Sequence, residues 1–187
     1  MEKILISSCL LGLPVRYDGK GQTILHPQLN LWQKQNRLIV FCPEIAGGLL
    51  VPRAPAEIKQ NRVITNTAED VTSAFEAGAN KALALCNKHN IRFALLKESS
   101  PSCGRNTIYD GSHSGVKVKG MGLTAKLLVK NQVKVFSEEQ DSEILYVAVL
   151  NYSINGTTNT VLAGCSYKAN VCAMLLQHKI EEVNADW

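Results

Sequence analysis

Three of the chain's six cysteines sit at the ends of apolar runs, each inside a distinctive short motif. They are Cys9 in Ser7-Ser8-Cys9-Leu10-Leu11-Gly12, Cys42 in Phe41-Cys42-Pro43-Glu44, and Cys103 in Ser99-Ser100-Pro101-Ser102-Cys103-Gly104. Cysteines placed where strands run into loops can converge on one point. Three thiolates meeting there would bind a soft metal or an iron–sulfur group and leave one coordination position open to a substrate. Their separations, 33 and 61 residues, are unlike the compact C-x-x-C of many zinc and ferredoxin sites. From topology alone, buried structural thiols are therefore an equal alternative, since free cysteine is among the most buried residue types.

The neighbouring residues tip that balance. Glu44 stands two positions beyond Cys42 on a proline-stiffened turn, and Ser99, Ser100 and Ser102 crowd Cys103. A metal flanked by a carboxyl and hydroxyls can combine Lewis acidity with proton transfer, the components a hydrolytic or desulfurising site needs. Read singly, Glu44 is a solvated loop carboxylate and the serines are loop caps; read jointly beside the cysteines, they favour function.

The elements needed to bring these motifs together can be read from periodicity. Lys3–Ser8, Arg37–Phe41 and Ile91–Leu96 read as short buried strands that run into Cys9, Cys42 and the Cys103 loop, and Val133–Phe136 reads as a fourth. Helices are expected over His26–Gln35, from Thr67 to about His89-Asn90, and over Leu123–Val129. Thr67 and Asp70 have capping-box spacing, and Val71, Phe75, Ala79, Ala82 and Cys86 follow at helical intervals. The segment around Pro43, Gly47-Gly48, Pro52 and Pro55 reads as broken structure, and the stretch to Gly122 as a Gly-rich loop. Strands alternating with helices predict right-handed crossovers and a mainly parallel sheet, with sites in the crevice beyond the strands' carboxyl ends. The expected fold is a single three-layer, Rossmann-like α/β domain over residues 1–140. Residues 141–187 are expected to form a ββα extension packed on it, with a hairpin at Asn155-Gly156. Cys86, Cys165 and Cys172 fall on apolar helical stripes and read as packing residues.

Composition bounds the rest. The 187 residues are 45% hydrophobic and 19% charged, with a formal charge of +4 and no Lys/Arg run, so a nucleic-acid partner is not expected. No apolar run reaches the ~20 residues of a membrane span, and Met1-Glu2-Lys3-Ile4 does not begin a secretory signal. A cytoplasmic protein with reduced thiols is expected, which favours metal or catalytic use of cysteine over disulfides.

The stretches SCLLGLPVRYDG, CPEIAGGLLVPRAPAEI, LLKESSPSCG and IYDGSHSGVKVKGMG resemble domain-of-unknown-function family 523, which includes thiouracil desulfidases. The resemblance covers residues 1 to about 140, in order. It implies a [4Fe–4S] cluster held by Cys9, Cys42 and Cys103, with the fourth iron open. It further implies removal of sulfur, without net redox, from a thiolated base such as 2-thiouracil, giving uracil and hydrogen sulfide. Glu44 would be the acid/base, assisted by a serine of the 99–102 loop, Ser100 being favoured. Arg16, Asp18, Ser99, Ser102 and Tyr109 are candidates for organising the site or binding a small thiolated nucleobase or nucleoside. For Arg16, pairing with Asp18, with Glu44 or with an anionic substrate all stay open. Arg53 reads first as a loop organiser, and His113 as a surface-loop residue. The competing readings are the same cluster acting on another thiolated nucleoside or in sulfur transfer, and a non-catalytic metal-binding module such as zinc on three thiolates.

Overall fold

A computed structural model describes residues 2–140, so the expected C-terminal extension, with Cys165 and Cys172, lies outside the described residues. Among the described residues the central sheet has four parallel strands: β1 (Ile4–Ser7), β2 (Leu38–Phe41), β5 (Phe93–Leu96) and β8 (Lys134–Ser137), in the order β2-β1-β5-β8. The helices are α1 (Pro27–Lys34), the single turn α2 (Pro43–Ala46), α3 (Thr72–Lys88) and α4 (Leu123–Lys130). Two antiparallel hairpins complete the fold, β3 (Ala56–Lys59) with β4 (Arg62–Thr65), and β6 (Thr107–Tyr109) with β7 (Lys117–Lys119). This is the Rossmann-like α/β architecture expected.

Central strands β1 and β5 are buried at every position, as a parallel sheet covered on both faces requires. Leu5, Ala94, Leu96 and Val135 join Ala82 and Cys86 of α3 and Ala125 and Leu128 of α4 in one core cluster. By strand alternation Ile4, Ile6, Phe93 and Leu95 face the other way. β2 departs from expectation: it is an edge strand, only partly buried, with Val40 43% exposed, because pairing with β1 covers just one of its sides.

Two further differences concern turns. α3 begins at Thr72, five residues after the expected capping box. Thr65 instead receives the Glu69 N–H on its hydroxyl, and Ile64 pairs with Asp70, so the β3–β4 hairpin runs on through this stretch. Asp70 then accepts the Thr72 N–H at 3.0 Å. The β3–β4 hairpin itself turns on Gln60 and Asn61, both at positive φ (49° and 64°), without the glycine that normally advertises such a turn.

α2 is held directly against α3, and two glycines make this possible. A Cβ on Gly78, buried in the middle of α3, would lie 2.0 Å from the Pro43 carbonyl oxygen. One on Gly47 would lie 2.1 Å from that of Ala74. Alanine is intrinsically better than glycine in a helix by ~1 kcal/mol. Gly78→Ala should nonetheless destabilise by about 1–3 kcal/mol, because the methyl meets backbone that cannot swing aside. A lower urea midpoint checks this; a raised one would show that the α2–α3 contact does not hold the turn.

Cys86 lies in the core at 1% exposure, and burial raises its thiol from an ordinary 9.0 to about 11. The folded chain keeps a proton that the unfolded chain releases above pH 9. Its contribution is therefore fully present below pH 9 and lost as pH rises through 11, a span worth on the order of 2–3 kcal/mol. The urea midpoint of metal-free protein should fall over that window more steeply than that of Cys86→Ala.

Candidate active site

The three motif cysteines lie in the segments that follow three adjacent parallel strands. Cys9 sits in the 3-10 turn Ser8–Leu11 directly after β1, where its carbonyl accepts the N–H groups of Gln22 at 2.7 Å and of Gly12 at 3.0 Å. Gly12, at φ 88°, closes that turn. Cys42 follows β2 and forms the N-terminal cap position of α2, with Pro43 in the first turn. Cys103 lies in the loop after β5 and is buried. The chain leaves β1 towards β2 and returns to the other side of β1 as β5, so β1 and β5 flank the switch point where such sheets bind ligands. Ser7, the last residue of β1, accepts the Lys97 N–H at 3.1 Å and donates its hydroxyl to the Cys103 sulfur at 3.5 Å, tying the two strand ends together.

The thiols share one electrostatic neighbourhood. Burial first, then the charge of Cys42, raises Cys9 to about 11, while Lys97 and Arg16 pull the other way. Burial likewise raises Cys42. Cys103 is raised most: burial outweighs the Ser7 hydrogen bond, and Glu44, Cys9 and Cys42 add to it. At neutral pH the bare thiols hold their protons, and any metal group bound there must displace them. Among the described residues no three His, Cys, Asp or Glu side chains converge as ligands of a single ion.

Glu44 and Ser100 meet beside these thiols. The Ser100 hydroxyl donates to Glu44 Oε1 at 3.3 Å and accepts the N–H groups of Ser102 and Cys103, each at 3.1 Å. Both oxygen lone pairs of Ser100 are therefore occupied, and the hydroxyl is fixed as a donor to Glu44. The other carboxylate oxygen, Oε2, accepts Arg53 Nε at 3.1 Å and Nη2 at 2.5 Å. Carboxylate and guanidinium are largely buried, with side-chain exposures of 16% and 12%.

The remaining sequence candidates are placed as follows. Arg16 pairs with Asp18 through two contacts of 3.3 Å and with Gln22 at 2.5 Å; Asp18 also accepts the Lys20 N–H. Of the partners open to Arg16, the structure selects Asp18. Ser102 is fully buried, its hydroxyl shared with Thr124 at 2.8 Å at the start of α4. Ser99 stands at φ 59° with its hydroxyl on Thr107 at 3.0 Å. Both serines anchor the cysteine loop. Tyr109 ends β6, with Lys117 Nζ 5.9 Å from its ring centre. His113 donates its N–H to Glu57 on β3 at 3.0 Å, bracing the β6–β7 loop against the first hairpin.

Residues 4–140 match the 2-thiouracil desulfurase family. The chain belongs to that family. An uncharacterised Bacillus subtilis (strain 168) protein, YbbK, is 38% identical over 152 residues, covering 76% of this chain and 99% of the relative. A solved structure described as the [4Fe–4S]-dependent thiouracil desulfidase TudS is 48% identical, with a TM-score of 0.79 over 80% of this chain and 99% of that one.

One residue central to this desulfurase-family site went unread in the sequence. Glu98, 2% exposed, follows β5 and gathers the cysteine loop around its carboxylate. Oε1 accepts the N–H groups of Ser99, Arg105, Asn106 and Thr107 at 2.9–3.2 Å, and Oε2 accepts the Asn106 side chain at 3.2 Å. Burial alone would raise its pKa; the backbone hydrogen bonds, those of Thr107, Asn106 and Ser99 foremost, outweigh burial and hold it below the usual carboxylate range. Glu138, just beyond β8, accepts the Glu98 N–H at 2.6 Å and pairs with Lys97. A buried carboxylate that replaces the missing backbone partners of a loop fixes the loop as firmly as a ladder would.

Proposed function

We propose that this chain hydrolyses the thiocarbonyl group of a small thiolated pyrimidine, base or nucleoside, of which 2-thiouracil is the type. The products are uracil and hydrogen sulfide. A [4Fe–4S] cluster would be held by Cys9, Cys42 and Cys103, with one iron left open. The observation that carries this reading is the placement of three thiols in the segments that follow three neighbouring strands, with a hydrogen-bonded Glu44–Ser100 pair between two of the loops. The donor set fits the group: three soft thiols on separate loops that feel one another's charge. Family membership and the likeness to TudS support it.

When bound, the cluster supplies a thiophilic, electron-withdrawing site for the substrate sulfur. The chain's own residues would manage water and protons. Glu44 Oε1 takes a proton from the water that adds to the thiocarbonyl carbon, and returns it as the carbon–sulfur bond breaks. Ser100, fixed as a donor, holds Oε1 in place. The reaction balances without oxidant or reductant: one water is consumed, its oxygen stays on the ring carbon and both its hydrogens leave with sulfur. Among the described residues no helix is long and apolar enough to cross a membrane. The reduced cysteines suit a cytoplasmic setting.

The test is anaerobic incubation of the full, iron- and sulfide-reconstituted chain with 2-thiouracil in ¹⁸O-labelled water. Equimolar uracil and sulfide are expected, with the label in the new carbonyl. Uracil without label would contradict the hydrolytic route, and no sulfide from either 2-thiouracil or thiouridine would contradict the substrate class.

A further inference from the structure

The Arg53 guanidinium makes five hydrogen bonds, and their arrangement says what it does. Nε and Nη2 both reach Glu44 Oε2; Nη1 reaches the carbonyls of Leu50 at 3.0 Å and Val15 at 3.3 Å, and Nη2 also reaches Val15 at 3.2 Å. A guanidinium has five N–H donors and no acceptor, so this one has none left for a substrate anion. Its backbone N–H is taken as well, by the Tyr17 carbonyl at 2.9 Å. Val15 and Tyr17 belong to the loop after β1, and Glu44 and Leu50 to the segment after β2. Arg53 thus joins two of the three cysteine-bearing loops around one carboxylate oxygen.

We propose that Arg53 is a positioning residue that divides the labour of the Glu44 carboxylate. It saturates Oε2 with two donors and so reserves Oε1, which faces Ser100, as the oxygen that exchanges protons with the substrate. The inference rests on the reading of Glu44 as the proton-handling group. Lysine would keep the charge but cannot supply the planar fork that meets Oε2 and two carbonyls together. Arg53 therefore acts through Glu44, and removing it should matter only while the carboxylate is there to be positioned.

A double-mutant cycle on the anaerobically reconstituted full chain reads this directly, using Arg53→Met, Glu44→Gln and the pair, with sulfide release from 2-thiouracil as the rate. Arg53→Met should lower kcat by about 10- to 100-fold, the loss typical of a misplaced catalytic group. KM should change little, because the guanidinium has no free donor for substrate. In the Glu44→Gln background the same substitution should cost nothing further. Equal losses in both backgrounds, or a raised KM with kcat unchanged, would overturn the proposal. Iron content and urea midpoint establish that each variant is folded and loaded. If Arg53→Met fails that check, Arg53→Lys takes its place in the cycle and should show the same dependence on Glu44. A Glu44→Gln variant with wild-type sulfide release would remove the reading of Glu44 itself, an outcome visible before any Arg53 variant is made.

Discussion

Glu44→Gln should yield a folded protein with its full iron content that releases sulfide from 2-thiouracil ~10²–10⁴-fold more slowly, the usual contribution of a positioned acid/base. Glutamine keeps the size of the side chain and an oxygen that can accept from Arg53 or Ser100, so the loops around Cys42 and Cys103 should keep their course. What is lost is the ability to take up and return a proton. The substitution also leaves the buried Arg53 charge without its counter-ion, and the unfolding free energy from urea titration should fall by about 1–3 kcal/mol. The two effects separate cleanly: stability reports the ion pair, and kcat in loaded protein reports the chemistry. Undiminished turnover per iron would show that the Arg53–Glu44–Ser100 chain is only architectural.

Changing Cys9, Cys42 or Cys103 singly to serine should abolish sulfide release and sharply lower the iron retained after anaerobic reconstitution. A serine oxygen is a harder, more tightly protonated ligand than a thiolate and is a poor match for iron–sulfur chemistry. Each site has its own structural cost. At Cys103 the hydrogen bond from Ser7 would shorten around a smaller atom in a buried setting, and at Cys42 the change falls at the head of α2, beside Glu44. The informative control is Cys86, which lies in the same core cluster as Cys103 but on α3 and not on a loop that follows a strand. Cys86→Ala should lose some stability and none of the iron. Normal sulfide release after any of the three motif substitutions would argue against a cluster held by that cysteine.

The main sheet and its helices were legible because they depend on apolar runs and helical periodicity, signals that every buried strand or helix must carry. The placement of Cys9, Cys42 and the Cys103 loop at one sheet edge followed from parallel topology, since parallel strands all end on one edge. The two hairpins were not legible. β3–β4 turns on Gln60-Asn61 instead of Asn-Gly, and β7 is exposed at all three positions, so it lacks an apolar signature. The N-terminus of α3 was misplaced because Thr67 and Asp70 have capping spacing, yet the hairpin's pairing claims that stretch first. Glu98 and Arg53 illustrate a general limit: a charged loop residue reads as solvated unless its partners are known. The partners here lie up to 40 residues from Glu98 and 38 from Arg53. Proline on either side of Arg53 hinted at a stiff loop but could not name Glu44 as its partner.

The central claim is that Cys9, Cys42 and Cys103 hold one iron–sulfur cluster. Quantitation of iron and acid-labile sulfide in the anaerobically reconstituted chain tests it most directly. About four of each per chain are expected, with both lost together in the three cysteine variants. A single metal ion per chain without labile sulfide, or no iron retained at all, would contradict it.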